Sequence, residues 1–248
     1  MIKIKTKEQL ECMRESGRLT KEVLELLGRE IKVGMSTKQL DKIAYDYITS
    51  CGAYPSFLGY SGYPASICVS IDDIVVHGIP SDDIIIKDGQ IVSVDVGVVY
   101  NGWQGDAART FMVGNVSEEK RKLVKVTEEC FFKAVEQLRD GTPLGDVGYY
   151  VQSHAEANGY SVVRALVGHG IGQEMHEDPS VPNFGKKGTG IRLKAGMTIA
   201  IEPMINMGGY QVDFLADGWS VRTRDRKPSA HYENTVAITE NGVEILTL

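Results

Sequence analysis

Lys87-Asp88-Gly89-Gln90-Ile91-Val92-Ser93-Val94-Asp95 returns later in the chain as Lys194-Ala195-Gly196-Met197-Thr198-Ile199-Ala200-Ile201-Glu202. The separations 194 − 87, 196 − 89 and 202 − 95 are all 107. The same shift carries Gly34 to Gly141 and Gly52 to Gly159. Recurrence at a fixed offset is the mark of a duplicated structural unit. Each copy has helical patterning in front and closes on a buried strand that carries an acid. Two such acids facing each other across a pseudo-twofold axis create a place to bind metal.

Working outward, Thr6-Lys7-Glu8-Gln9 reads as a capping box, and Leu10, Met13, Leu24 and Leu27 form a core-facing stripe behind it. Ser36-Thr37-Lys38-Gln39 opens a second helix that ends near Gly52. A Gly-, Tyr- and Pro-rich loop spans Tyr54 to Ala65, and Ser66 to Ile71 reads as a short strand. Ile91 to Val99 is β-branched and almost wholly apolar, so it is expected to be covered on both faces. Its partner, Trp103 to Val113, follows a turn at Asn101-Gly102. The second half repeats the order. Helices are expected from Ser117 to about Leu138 and from Leu144 to Asn158, then a Gly- and His-rich loop from Gly168 to Pro182. Met197 to Met204 is expected as one covered strand, and strands at Tyr232 to Thr239 and Val243 to Leu248 finish the chain. No linker interrupts this pattern. The reading is a single α+β domain of 1–248, with related halves of about 1–115 and 116–248.

Composition narrows the class. The chain has 248 residues, 42% hydrophobic and 24% charged, as in an ordinary globular protein. A formal net charge of −6 disfavours nonspecific nucleic-acid binding. Cys12, Cys51, Cys68 and Cys130 show no CxxC spacing, which fits free thiols in a reducing cytosol. No apolar run approaches the roughly 20 residues that span a bilayer.

An acid inside Val92-Ser93-Val94-Asp95-Val96 costs several kcal/mol unless it is paired or bound to a cation. Glu202, in Ile199-Ala200-Ile201-Glu202-Pro203, stands in the same trap. One such acid alone is as well explained by an ion pair. Two at duplicated positions favour a shared cation. Asp106 lies on the partner strand of Asp95, with Arg109 as an alternative ion-pair partner, and Glu233 can play the matching part beside Glu202. His169 and His176 stand in the glycine-rich Gly168–Pro179 stretch, where glycine permits positive φ, and His77 lies in Val75-Val76-His77-Gly78-Ile79-Pro80. His154 is set aside on a polar helix face, and His231, next to Glu233, is left open. Four carboxylates and one imidazole suit Mn, Fe, Co or Zn. Such charge calls for two ions about 3.5–4 Å apart, as in two-metal hydrolases. There is no HExxH, P-loop or GxSxG, and Gly168-x-Gly170-x-Gly172 lacks the context of a dinucleotide loop.

Taken together, Val76-His77-Gly78-Ile79-Pro80, Gly105-Asp106-Ala107-Ala108-Arg109, Gly168-His169-Gly170-Ile171-Gly172 and Ile201-Glu202-Pro203-Met204 resemble the type I methionine aminopeptidases over essentially the whole chain. The resemblance implies a duplicated pita-bread fold: pseudo-twofold-related halves, with a central antiparallel sheet covered by helices. It implies removal of the initiator methionine from nascent chains, chiefly before a small second residue. Asp95, Asp106 and Glu233 would hold one ion, and Asp106, His169, Glu202 and Glu233 the other, drawn from Co, Mn, Fe, Zn and Ni. His176 would hydrogen-bond the scissile carbonyl, His77 the nitrogen side of the bond, and Glu202 would relay a proton. Tyr60, Tyr63, Cys68 and Trp219 would form the methionine pocket. Phe57 and Met175 depart from the commonest bacterial pattern (a Cys and an aromatic, respectively) and are expected at the pocket rim. A cytoplasmic monomer is expected, in transient contact with the ribosome and with neither DNA nor membrane as a partner.

Overall fold

Four helices and one long curled sheet position the site. The computed structural model describes all residues, Met1–Leu248. Helices α1 (Lys7–Glu30) and α2 (Thr37–Ser50) begin at Thr6 and Ser36, each with both hydrogen bonds of a capping box. Helix α3 (Glu118–Val135) is capped by Ser117, and α4 (Gly145–Ala157) follows it closely. No helix is long and apolar enough to cross a membrane.

The main sheet is antiparallel throughout, and its centre is built from the two repeats. Strand Gln90–Tyr100 pairs with Trp103–Val113, which pairs with Glu233–Ile238, which pairs with Thr198–Ile201. The repeat strands thus lie outside and their partners meet in the middle. Gly168–Gly170 and Glu177–Val181 extend one side; Tyr54–Pro55 and Ile67–Ile71 pair with Gln90–Tyr100 on the other. The 107-residue offset is legible in individual hydrogen bonds. Gly34 N–H donates to Ile86 O at 2.9 Å, and Gly141 N–H to Leu193 O at 2.8 Å. Thr37 N–H donates to Ile84 O as Leu144 N–H does to Ile191 O. Gly89 and Gly196 both take positive φ, 79° and 90°, at the turn into the acid-bearing strand.

Covering of the sheet is unequal on its two faces. Val92, Val94, Val96 and Val98 pack with Leu19, Val23, Leu27, Leu40 and Ala44 of α1 and α2. Ile199 and Val236 pack with Leu123, Phe131, Val147 and Val151 of α3 and α4. Residues of opposite parity point the other way, into a cleft.

Two expectations are corrected. Met197 to Met204 is not one strand. Thr198–Ile201 ends before Glu202, and Met204–Asn206 joins a separate three-stranded sheet with Ser229–His231 and Ser161–Val162. Pro203 has no N–H for the ladder, so the strand changes sheets there. The Gly168–Pro182 stretch is not a loop throughout but two strands, Gly168–Gly170 and Glu177–Val181. Its glycines do not use positive φ. A Cβ on Gly168 would sit 2.4 Å from Ala200 O, and one on Gly170 2.1 Å from Asp178 O. They are small so that three strands can close on one another.

Candidate metal and peptide site

Register alone assembles the acids. Cys68, Asp95, Ala108 and Glu233 are successive cross-strand partners, so they form one row on one face. Glu202 continues that row, because Asn234 pairs with Ile201. The next row runs from Gly97 to its partner Asp106, then to Thr235, whose Oγ1 accepts the Asp106 N–H at 3.0 Å and donates to Asp106 O at 2.9 Å. Thr235 pairs with Ala200, and Ala200 with His169. Two adjacent rows therefore bring Asp95, Asp106, Glu233, Glu202 and His169 together. Ala108 and Ala200 are small, and Gly97 gives its space to Phe57 and Met175, whose Cε1 and Cε would each stand 2.8 Å from a Cβ there.

These groups face a cavity of about 180 Å³, which is lined also by His77, His176, Phe57, Tyr60, Tyr63, Cys68 and Trp219. A wider groove of about 790 Å³, bordered by Val135–Pro143 and Asn241–Val243, is open surface remote from the acid rows. Val76, Leu166 and Val167 also line the small cavity, and sequence reading missed them. Apolar residues of that kind carry no local signal that separates a pocket wall from ordinary core. Met175 is not itself a cavity wall; it is buried with Met13, Trp103 and Ile171, with its Cε over Gly97 beside the lining residue Phe57.

The electrostatics are those of a site built for cations. Asp106 and Glu233 are 4% and 2% exposed. Burial, reinforced by Asp106 and Asp95, pushes the Glu202 carboxyl well above its ordinary range, and burial does the same to Glu233 and Asp95. Burial raises Asp106 to about 7 even though Asp95 and the Ala107 N–H stabilise its charged form. No Lys or Arg side chain forms an ion pair with them, and the Arg109 charge only partly offsets the rise at Glu233. Arg109, the sequence's candidate partner for Asp106, instead donates to Ala108 O and Glu233 O at 2.8 and 2.6 Å, and to Asn234 Oδ1 at 2.8 Å. Asp95 Oδ1, Asp106 Oδ1 and Glu233 Oε1 are buried with no hydrogen-bond partner. Burying unpaired carboxylate oxygens is costly. Asp106, His169 and Glu233 each bring a donor atom within 4.8 Å of the others. The residues present fit divalent cations.

The imidazoles are held near neutrality. Burial, with His176 nearby, lowers His77 to about 4; burial, with His169 nearby, lowers His176 to about 4. His77 sits at φ 60°, in a region that non-glycine residues rarely enter. His176 Nδ1 lies 2.7 Å from the Tyr60 hydroxyl, and its ring centroid is 4.2 Å from that of His169. Tyr63 O–H reaches Gly78 O at 3.0 Å, and its ring meets Trp219 edge-on at 5.0 Å. His154 pairs with Glu129 at 2.8 Å, far from the cavity, as its polar helix face suggests.

Comparison with known proteins agrees with this geometry. The model for metallopeptidase family M24 matches residues 11–240. A methionine aminopeptidase of Clostridium perfringens is 54% identical over 248 residues, covering 100% of this chain and 99% of its own. The crystal structure of methionine aminopeptidase from Rickettsia prowazekii superposes with a TM-score of 0.98 at 44% identity, covering all of both chains. The Xaa-Pro dipeptidase of Bacillus anthracis shares the fold at a TM-score of 0.79 and 22% identity, with 98% of this chain matching 61% of that one. The pita-bread architecture that the resemblance implies is thus the observed one, and the chain belongs to metallopeptidase family M24.

Proposed function

We propose that this chain is a metal-dependent methionine aminopeptidase that removes the initiator methionine from nascent chains, chiefly before a small second residue. The observation that carries the reading is the pair of adjacent sheet rows placing Asp95, Asp106, His169, Glu202 and Glu233 around one cavity with buried, unpartnered carboxylate oxygens. Full-length similarity to proteins of that name supports it.

Asp95, Asp106 and Glu233 would hold one divalent ion, and Asp106, His169, Glu202 and Glu233 the other. When bound, such ions polarise a carbonyl and ease deprotonation of water. The protein's own groups do the rest. With the Tyr60 hydroxyl as the donor to His176 Nδ1, 2.7 Å away, the neutral ring carries its proton on Nε2. That N–H donates to the scissile carbonyl oxygen and to the oxyanion that develops from it. Neutral His77 faces the nitrogen side of the scissile bond. Glu202 takes the proton of the attacking water on a carboxylate oxygen and passes it to the leaving amine. Tyr63 and Trp219, locked edge to face, form with Tyr60, Phe57 and Cys68 a wall suited to a thioether. The enzyme works in the cytoplasm as a monomer, touching the ribosome transiently.

Methionine release from Met-Ala-Ser is the test. Chelated protein is expected to be inactive and to recover with Mn, Co or Fe. Asp106→Ala and His169→Ala are expected to abolish release. Full activity in either variant, or preference for X-Pro peptides, overturns the assignment.

A further inference from the structure

His231 occupies a place that the five-residue ligand set leaves unused. The chain leaves the small sheet at His231 and enters the large one at Glu233, which carries the imidazole to the edge of the acid cluster. Thr110 pins the backbone there. The His231 N–H donates to Thr110 Oγ1 at 3.0 Å, and that hydroxyl donates to His231 O at 2.8 Å.

The His231 Nε2 lies 3.5 Å from Glu233 Oε2 and 4.0 Å from Glu202 Oε2. His169, on the other flank, stands in the same relation: its Nε2 is 3.6 Å from Asp106 Oδ2 and 3.8 Å from Glu202 Oε1. These separations are too long for good hydrogen bonds. The His231–Glu233 separation, like those of His169, suits donors that share an ion, since two atoms each about 2.0–2.2 Å from one cation stand at most about 4.4 Å apart. Glu202, a donor to the other ion, is only a neighbour of His231. The His231 Nε2 is buried and has no hydrogen-bond partner, the same condition as Asp95 Oδ1 and Glu233 Oε1. Asp95, His231 and Glu233 each bring a donor atom within 4.8 Å of the others.

We infer that His231 Nε2 is a further metal-binding nitrogen, serving the ion held by Asp95, Asp106 and Glu233, so that each ion of the pair meets one imidazole. This rests on the two-ion reading under the proposed function. It has a chemical consequence. A purely carboxylate set suits Mg and Mn, and an added imidazole shifts preference toward Fe, Co, Ni and Zn.

Two measurements test it. The first is a crystal structure of wild-type protein loaded with zinc. His231 Nε2 at about 2.0–2.1 Å from an ion is the expected result; both ions in place with that nitrogen outside bonding distance overturns the inference. The second is calorimetric titration of chelated wild type, His231→Gln and His169→Ala with zinc and with manganese. His231→Gln is expected to weaken one zinc site by about tenfold or more and to change manganese binding by much less. Zinc affinities within twofold of wild type in His231→Gln, alongside a clear loss in His169→Ala, overturn the role of His231 and leave the two-ion reading standing. Failure of wild-type protein to take up any divalent ion removes that reading itself.

Discussion

At the scale of single residues, the site is a set of acids that the fold buries without partners. Asp106 carries the clearest consequence. Its carboxyl is raised to about 7 by burial, whereas in the unfolded chain it titrates near the ordinary carboxylate value. The folded, metal-free protein therefore binds more protons than the unfolded chain between those values. The group's contribution to stability is most favourable at low pH and is lost as pH rises toward and through about 7. Between pH 6.5 and 8.0 the buried histidines act in the opposite sense, because a free imidazole sheds its proton near 6.5 while burial holds His77 and His176 at about 4. The Asp106 share is therefore read as a difference, and the urea midpoint of chelated wild type is expected to fall from pH 6.5 to 8.0 relative to that of Asp106→Asn. Added divalent metal should raise the pH 8.0 midpoint of wild type. Parallel pH dependences in wild type and Asp106→Asn would contradict the burial argument. Tyr60 offers a kinetic check. Removing its hydroxyl in Tyr60→Phe frees the His176 tautomer while keeping the ring. The expected result is a kcat lower by about tenfold or more with little change in KM. A change confined to KM would make Tyr60 a pocket wall only.

At the scale of elements, close approach governs. The Gly168–Gly170 strand is squeezed between Thr198–Ile201 and Glu177–Val181. Gly170→Ala would drive a methyl to 2.1 Å from Asp178 O, which is backbone and cannot step aside. Overpacking of this kind costs about 1–3 kcal/mol or more. Because His169 is the adjacent residue, metal affinity should fall with stability. Urea denaturation and metal titration of Gly170→Ala measure both. Gly242→Ala, whose new methyl meets nothing within 4 Å, is the control expected to stay near wild type. The helices are easy to read from sequence because their caps are local: Thr6 with Gln9, and Ser36 with Gln39, satisfy the first-turn donors within four residues. The short strands Ile74–Val76, Val212–Phe214 and Val221–Thr223 are not legible there. Three residues are too few to show a period, and these strands exist only because they pair with one another.

At the scale of the whole molecule, the N-terminal segment ties the first half to the second. Lys5 Nζ meets Glu177 Oε2 at 2.7 Å with both side chains 4% exposed, while Lys5 N–H donates to Gly196 O at 2.8 Å. Glu177 directly succeeds His176, so this buried pair braces the strand beside the cavity. Lys5→Met leaves the Glu177 carboxylate with only the half-exposed Lys3, 3.1 Å from Oε1, and is expected to cost about 1–3 kcal/mol in chemical denaturation. Lys5→Met combined with Glu177→Met should recover much of that loss, because the removal of both charges removes the poorly paired one. Equal losses in the single and double variants would rule out the pair as the cause. The sequence by itself determined the duplication, the four helices and the four acids and one imidazole that meet at the cavity, because repeats, caps and acids in apolar strands are signals carried within a few neighbouring positions. Tertiary structure alone decided that Met175 packs over Gly97 beside Phe57, that Arg109 leaves Asp106 unpaired, that the strand breaks at Pro203 and that His231 reaches the acids. Each of these depends on which strands lie side by side and at what register, and that is fixed only when distant segments pack.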